Sequence, residues 1–150
     1  MIVHWQCFQF SELSNIQLYD ILALRQAVFI IEQNCLYPDA DGYYDYCALH
    51  LCGYNPEGKL IGYSRIIPPK IKYEEPAIGR VVVAPSARKI GIGYELMKQS
   101  IENCNKHFPN CSIRLSAQSY LEGFYKNLGF NSVGKTYLED GIPHLEMLRE

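Results

Sequence analysis

The run AIGRVVVAPSARKIGIGYELM, residues 77 to 97, constrains this chain more than any other stretch. Its first half is β-branched, fit for a central strand, and is closed by Pro85. Its second half opens a helix that continues beyond it, with Leu96, Met97, Ile101, Cys104 and Phe108 recurring on one face. Between them stand a basic pair, Arg88 and Lys89, and two glycines, Gly91 and Gly93. A glycine inside a helix costs about 1 kcal/mol relative to alanine, so a pair of them at a helix start needs a cause. A strand that runs through a basic, glycine-rich turn into a helix is an anion-binding geometry. The first helical turn leaves N–H groups without intrahelical partners, and the macrodipole makes that end partly positive. A missing Cβ lets the main chain approach phosphate oxygens. The plain alternative is that the glycines serve only tight packing of helix on strand.

Two familiar phosphate motifs are excluded. Nothing matches GxxxxGK[ST], and GxGxxG fails because Leu96 stands at its third glycine. The rest of the chain supplies the frame. VHWQCFQF alternates as a first strand, and SELSNIQLYDILALRQAVFIIEQN reads as one helix, with Ser14 and Gln17 spaced as a capping box. CALHLCGYN and LIGYSRIIPP flank the turn PEGK as a hairpin. SIRLSAQ is a strand, SYLEGFYKNLG a short helix stopped by Gly129, and NSVGKTYLE and HLEMLR are two strands around the turn DGIP. The order β α ββ β α β α ββ gives one α/β (α+β) domain over residues 1–150, built on a mixed sheet.

With 48% hydrophobic and 20% charged residues, composition is that of a globular protein. A net charge of −2 gives no pull toward nucleic acid or anionic membrane. No apolar run reaches the roughly 18 residues that span a bilayer, and MIVHWQCFQF lacks a signal-peptide layout, so a cytoplasmic location is expected. The six cysteines form no CxxC pair and no zinc spacing; they read as reduced, mostly buried thiols, and no metal is expected.

VVVAPSARKIGIGYELM resembles the acetyl-coenzyme A motif of the GNAT superfamily of N-acetyltransferases, [QR]-x-x-G-x-[GA] after a strand, with Arg88, Gly91 and Gly93 at its defined positions. FYKNLGF, residues 124 to 130, is similar to the second recurring element of that family, and the element order agrees along nearly the whole chain. LRQAVFIIEQNCLYPDADG (24 to 42), IGRVVV (78 to 83) and EDGIPHLEM (139 to 147) resemble its ElaA-like branch. The resemblance implies a mostly antiparallel sheet of six to seven strands flanked by helices. It also implies acetyl-coenzyme A as co-substrate and an amine as acceptor, in a small molecule or a peptide. In such a protein the backbone of Val81, Val82 and Val83 takes the pantetheine arm, that of Lys89, Ile90, Gly91, Ile92, Gly93 and Tyr94 holds the diphosphate, and Arg88 adds charge. Gln118, Arg25 and Arg80 are site-lining candidates, the arginines alternatively bracing carboxylates.

Amide formation must overcome the charge of the amine. A lysine-like amine is neutral in about one molecule in 2,500 at pH 7, a penalty of roughly 4–5 kcal/mol. The departing thiolate benefits from a proton donor. Tyr125 matches the tyrosine that often donates it in the family; packing beside Phe124 and Phe130 is its structural alternative. AIGRVVV and SIRLSAQ carry no acid, so the base candidates are Glu32, alternatively a solvated helix-end charge, and His144, alternatively a turn residue; a water chain is a third route. Asp39, Asp41, Asp45, Glu139 and Asp140 read as loop acids, solvated or drawing a cationic amine. YPDADGYYDY, residues 37 to 46, suits either a pocket for such an amine or packing against a second copy in a homodimer. Two other functions stay open beside the enzyme: a non-catalytic acyl-coenzyme A module or sensor, and a phosphometabolite binder that uses the helix N-terminus alone.

Overall fold

A computed structural model describes residues 1–150. Ser14 starts the first helix: its hydroxyl accepts from the Gln17 N–H at 3.0 Å, and Gln17 Oε1 accepts from the Ser14 N–H at 2.9 Å. Helix α1, Asn15–Arg25, then widens into a π-helical segment, Gln26–Glu32. The expected single helix is thus two pieces of different pitch, and wide turns of this kind concentrate at functional sites.

Seven strands follow from the alternating runs: β1 His4–Gln9, β2 Leu49–Tyr54, β3 Leu60–Ile67, β4 Ala77–Val83, β5 Ile113–Gln118, β6 Asn131–Glu139 and β7 Ile142–Arg149. They form one sheet in the order β1-β2-β3-β4-β5-β7-β6. Every neighbouring pair is antiparallel except β4 and β5. The short helix α2, Tyr44–Cys47, lies in the loop before β2, where no helix was expected. Helix α3 is Ile92–His107, and α4 is Glu122–Lys126, preceded by a 3-10 turn at Ser119–Leu121.

The sheet is covered on both faces, and all eight residues of β3 are buried. On one face Met97, Ile101 and Cys104 of α3 join Ile66, Ile78 and Leu115 of the strands in the largest core cluster, with Tyr125, Leu128 and Phe130 from the α4 region. On the other, Ile21 and Val28 pack with Cys52, Tyr63 and Val82. Ile78 and Val82 are four residues apart on one strand yet face opposite layers. A β-bulge explains it: Tyr63 pairs Val82 and Arg65 pairs Gly79, so three steps on β4 oppose two on β3. Arg80 sits in the bulge at φ +49.

Asp140 (φ +52) and Gly141 (φ +77) alone make the turn between β6 and β7, the Asp-Gly pairing of a type I′ hairpin. Ile142, Pro143 and His144, expected at or beyond a four-residue turn, therefore belong to strand β7. Of the six thiols only Cys52 and Cys104 are fully buried and Cys47 is exposed, so the expectation of mostly buried cysteines holds for two. No helix is long and apolar enough to cross a membrane.

Candidate active site

Strands β4 and β5 meet at one register pair, Ala77 with Arg114, and diverge beyond it. Arg114 fastens the closed end, with Nε 2.9 Å from Glu75 Oε1 and Nη1 3.1 Å from Glu146 Oε1. The edge of β4 that turns toward β5 is left unpaired past Ala77, and a cleft of about 690 Å³ opens there. Val81, Val82 and Val83 line it from β4 and Gln118 from β5.

The glycine turn closes one end. Lys89 (φ +70) and Gly91 (φ +80) take left-handed conformations, and Gly91 is the N-cap of α3. The first helical bond runs from the Glu95 N–H to Gly91 O at 3.1 Å, so the N–H groups of Ile92, Gly93 and Tyr94 are the unpaired first turn. Gly91 is required by its backbone angle. Gly93 is not: its φ is ordinary, and an added Cβ would meet nothing of the protein nearer than Val83 Cγ2 at 4.0 Å. Tight packing of helix on strand, the plain alternative for the glycines, does not account for this position. The bare surface at Gly93 faces the cleft, which it lines with Arg88, Lys89, Gly91 and Ile92. Ile90 and Tyr94 are largely exposed beside it. The residues present fit a diphosphate held by main-chain amides.

The Arg88 side chain is engaged within the protein. Its Nη1 and Nη2 each donate to a Glu32 carboxylate oxygen at 2.7 Å, and its Nε donates to Val83 O at 3.1 Å. Glu32, the last residue of the π-helical segment, is thereby held below the usual carboxylate pKa, chiefly by those hydrogen bonds.

Tyr125 of α4 is buried and also lines the cleft. It meets Phe124 and Phe130 edge to face, with ring centroids 5.1 and 6.0 Å away. Burial pushes its phenol up to about 12, so the hydroxyl keeps its proton at neutral pH. His144 pairs across the sheet with Gln118 on β5 and Tyr137 on β6, and stacks on the Tyr137 ring. Its Nδ1 is 2.7 Å from Ile142 O. A carbonyl only accepts, so Nδ1 carries a hydrogen and the neutral form of the ring has its lone pair on Nε2, which lies 3.5 Å from Glu139 Oε2. Glu139, Asp140 and His144 line the cleft from the β6–β7 hairpin.

The expectation for three of the loop acids is corrected. Asp39, Asp41 and Asp45 are neither solvated nor free to draw an amine. Arg25, fully buried, contacts Asp39 Oδ2 through Nε and Asp45 Oδ1 through Nη1, both at 2.8 Å. Arg65 Nη1 lies 2.7 Å from Asp41 and 3.1 Å from Asp45, and Arg80 Nε lies 2.8 Å from Asp39. Burial raises the Asp45 pKa, but the hydrogen bonds from Arg25 and the charges of Arg25 and Arg65 outweigh it and hold the carboxyl low. Burial likewise works against Asp41, and Arg65 prevails. His50, missed in the sequence, closes the network: its Nδ1 lies 2.7 Å from the Tyr63 hydroxyl and its Nε2 2.9 Å from Asp45 O. Arg25 is therefore a brace rather than a site-lining group, whereas Arg80 and Arg65 both brace and line. An arginine inside the apolar run LIGYSRII was the available signal for Arg65.

A seven-stranded sheet splayed between β4 and β5, with a glycine-turned helix start at the gap, is the fold of acyl-coenzyme A N-acyltransferases. It superimposes on an acyl-CoA N-acyltransferase from Pseudomonas aeruginosa with a TM-score of 0.94, at 35% identity over 99% of this chain and 100% of that one. With the crystal structure of Escherichia coli ElaA the TM-score is 0.92, at 41% identity over 99% and 100% of the two chains. In sequence the chain is 42% identical to protein ElaA of Escherichia coli K12 over 99% of itself and 97% of that protein. It is 43% identical to a UPF0039 protein of Schizosaccharomyces pombe over 94% and 93% of the two. Residues 40–150 match the family model described as the acetyltransferase (GNAT) domain. The chain belongs to the GNAT acetyltransferase family, a family of acyl transfer from acyl-coenzyme A, and within it is similar to ElaA.

Proposed function

We propose that the protein is an N-acetyltransferase that moves acetyl from acetyl-coenzyme A to an amine, in a cytoplasmic setting suited to its unpaired thiols. One observation carries the reading: Gly93 is bare toward the cleft although neither its φ nor its neighbours in the protein ask for glycine. A diphosphate seated on the first turn of α3 supplies the missing reason. In this reading the amides of residues 89–94 take the diphosphate, with Lys89 adding charge, and the free edge of β4 at Val81–Val83 takes the amide groups of the pantetheine arm.

The thioester, when bound, supplies an activated acetyl group: the C–N bond forms as the C–S bond breaks, an amine proton leaves and the thiolate takes one up. Tyr125 donates that second proton from its hydroxyl. Nε2 of His144 receives the amine proton, since the Nδ1 hydrogen bond to Ile142 O selects the tautomer whose lone pair is on Nε2 when the ring is neutral. Glu139 beside it stabilises the imidazolium that results. Glu32 is the weaker choice for the base, because both its oxygens are taken by Arg88 and its low pKa makes it a poor proton acceptor. Its place is to hold Arg88 at the cleft.

Calorimetric titration with coenzyme A, followed by thiol release across polyamines, amino acids, aminoglycosides and lysine-containing peptides, tests this reading. Saturable binding with thiol release from at least one amine is the expected outcome. Binding without release from any amine makes the protein an acyl-coenzyme A module, and no binding removes the reading altogether.

A further inference from the structure

Apart from Lys89 at the glycine turn, the cleft contains one cation with no carboxylate in ion-pair contact. Lys72 belongs to the loop between β3 and β4, residues 68–76. Its Nζ sits over the rings of Tyr44 and Tyr73, at 5.7 and 5.5 Å, rather than against an acid. It lines the cleft together with Arg65 and Arg80. The two guanidiniums have partners in Asp39, Asp41 and Asp45, and their charges act on Lys72 in the same unfavourable sense. The residue is exposed as a whole, yet its ammonium end is desolvated by the surrounding rings and wall, which lowers its pKa. Ring faces hold a cation without neutralising it. An ammonium so held, beside two guanidiniums and open to a cleft, is matched by an anionic group of something that enters.

The same lining also carries the complementary sign. Glu139 is the acid that acts most strongly on Lys72, and it stands 3.5 Å from Nε2 of His144. A cation from the β3–β4 loop and a carboxylate with a histidine from the β6–β7 hairpin, in one cleft, suit a molecule that carries both charges. We propose that the acceptor is an amino acid or an amino-acid-like zwitterion, its carboxylate bound by Lys72 and its amine facing Glu139 and His144. The proposal rests on the acetyl-transfer reading above and makes Lys72 a specificity-determining residue of that reaction.

Matched L-amino acids and their carboxamides test it, with thiol release read at saturating acetyl-coenzyme A and binding to the coenzyme A-loaded protein read by calorimetry. The carboxamide has the more readily deprotonated amine, so amine basicity favours it and a preference for the free acid has to come from recognition. The expected result is a preference for the free acids of at least about tenfold in kcat/KM and in affinity. Lys72→Met should shrink that ratio to about twofold or less, and Lys72→Arg should keep most of it. Equal or better use of the carboxamides overturns the proposal, as does a preference that survives Lys72→Met. If no compound releases thiol, calorimetry still decides. Free acids bound more tightly than carboxamides support the carboxylate site while counting against transfer to these amines, and equal or absent binding of both ends the proposal whatever the fate of the acetyl-transfer reading.

Discussion

At Tyr125 packing and chemistry meet in one ring. Its ring meets Phe124 and Phe130 in edge-to-face pairs, while its hydroxyl, held protonated up to about 12 by burial, belongs to a residue that lines the cleft. Tyr125→Phe keeps the ring and removes the proton. Turnover should fall at least about tenfold, as expected for loss of a general acid, while coenzyme A affinity measured by calorimetry stays within about twofold. Equal turnover of the two proteins would take the hydroxyl out of the mechanism. Tyr125 was legible in FYKNLGF, because a short motif carries it. The setting of His144 was not, because it depends on counting turn residues: with Asp140 and Gly141 both at positive φ, the turn is two residues long and His144 falls into register with Gln118 and Tyr137.

The decisive element is the junction of β4 with α3, where Gly91 serves the backbone and Gly93 serves the cleft. Gly93→Ala separates the two roles. Alanine is the better helix former by up to about 1 kcal/mol, so the melting temperature should hold or rise. The Cβ would stand on the surface offered to the diphosphate, so coenzyme A affinity should fall at least about tenfold. Unchanged affinity would mean that the diphosphate does not rest on this turn. Periodicity and turn residues gave the strands, both main helices and this junction. They did not give the π-helical segment, which departs from regular spacing with no glycine or proline to mark it, or the bulge at Arg80, whose one signal was the isolated Gly79 inside a strand pattern. The bulge sends Ile78 and Val82 to opposite layers through a non-glycine residue at φ +49.

Across the whole molecule, Arg25 of α1, Arg65 of β3 and Arg80 of β4 tie the segment of Asp39, Asp41 and Asp45 to helix and sheet beside the cleft. Charge counts along the chain cannot reveal this, since the partners lie from 14 to 41 residues apart and meet only in the fold. Asp45→Ala leaves Arg25 buried and short of a partner, which should cost about 3–5 kcal/mol in urea unfolding at pH 7. The pH dependence has a definite sign. Asp41 and Asp45 have lowered pKa values in the folded chain, so the unfolded chain binds more protons in the acid range and stability rises with pH there. Their contribution should be complete above the ordinary aspartate value of about 4 and disappear as pH falls through their lower folded values. Urea midpoints measured from pH 7 down to acid should therefore drop steeply in the intact protein and less steeply in Asp45→Ala; parallel curves would show that the network does not govern acid stability.

Amide NMR of the nitrogen-15-labelled chain, titrated with coenzyme A, bears most directly on the seat of the diphosphate. Saturable shifts should be largest at the N–H groups of residues 89–94 and along Val81–Val83. Saturation with those amides unmoved, or the absence of any saturable shift, would contradict the account at its root.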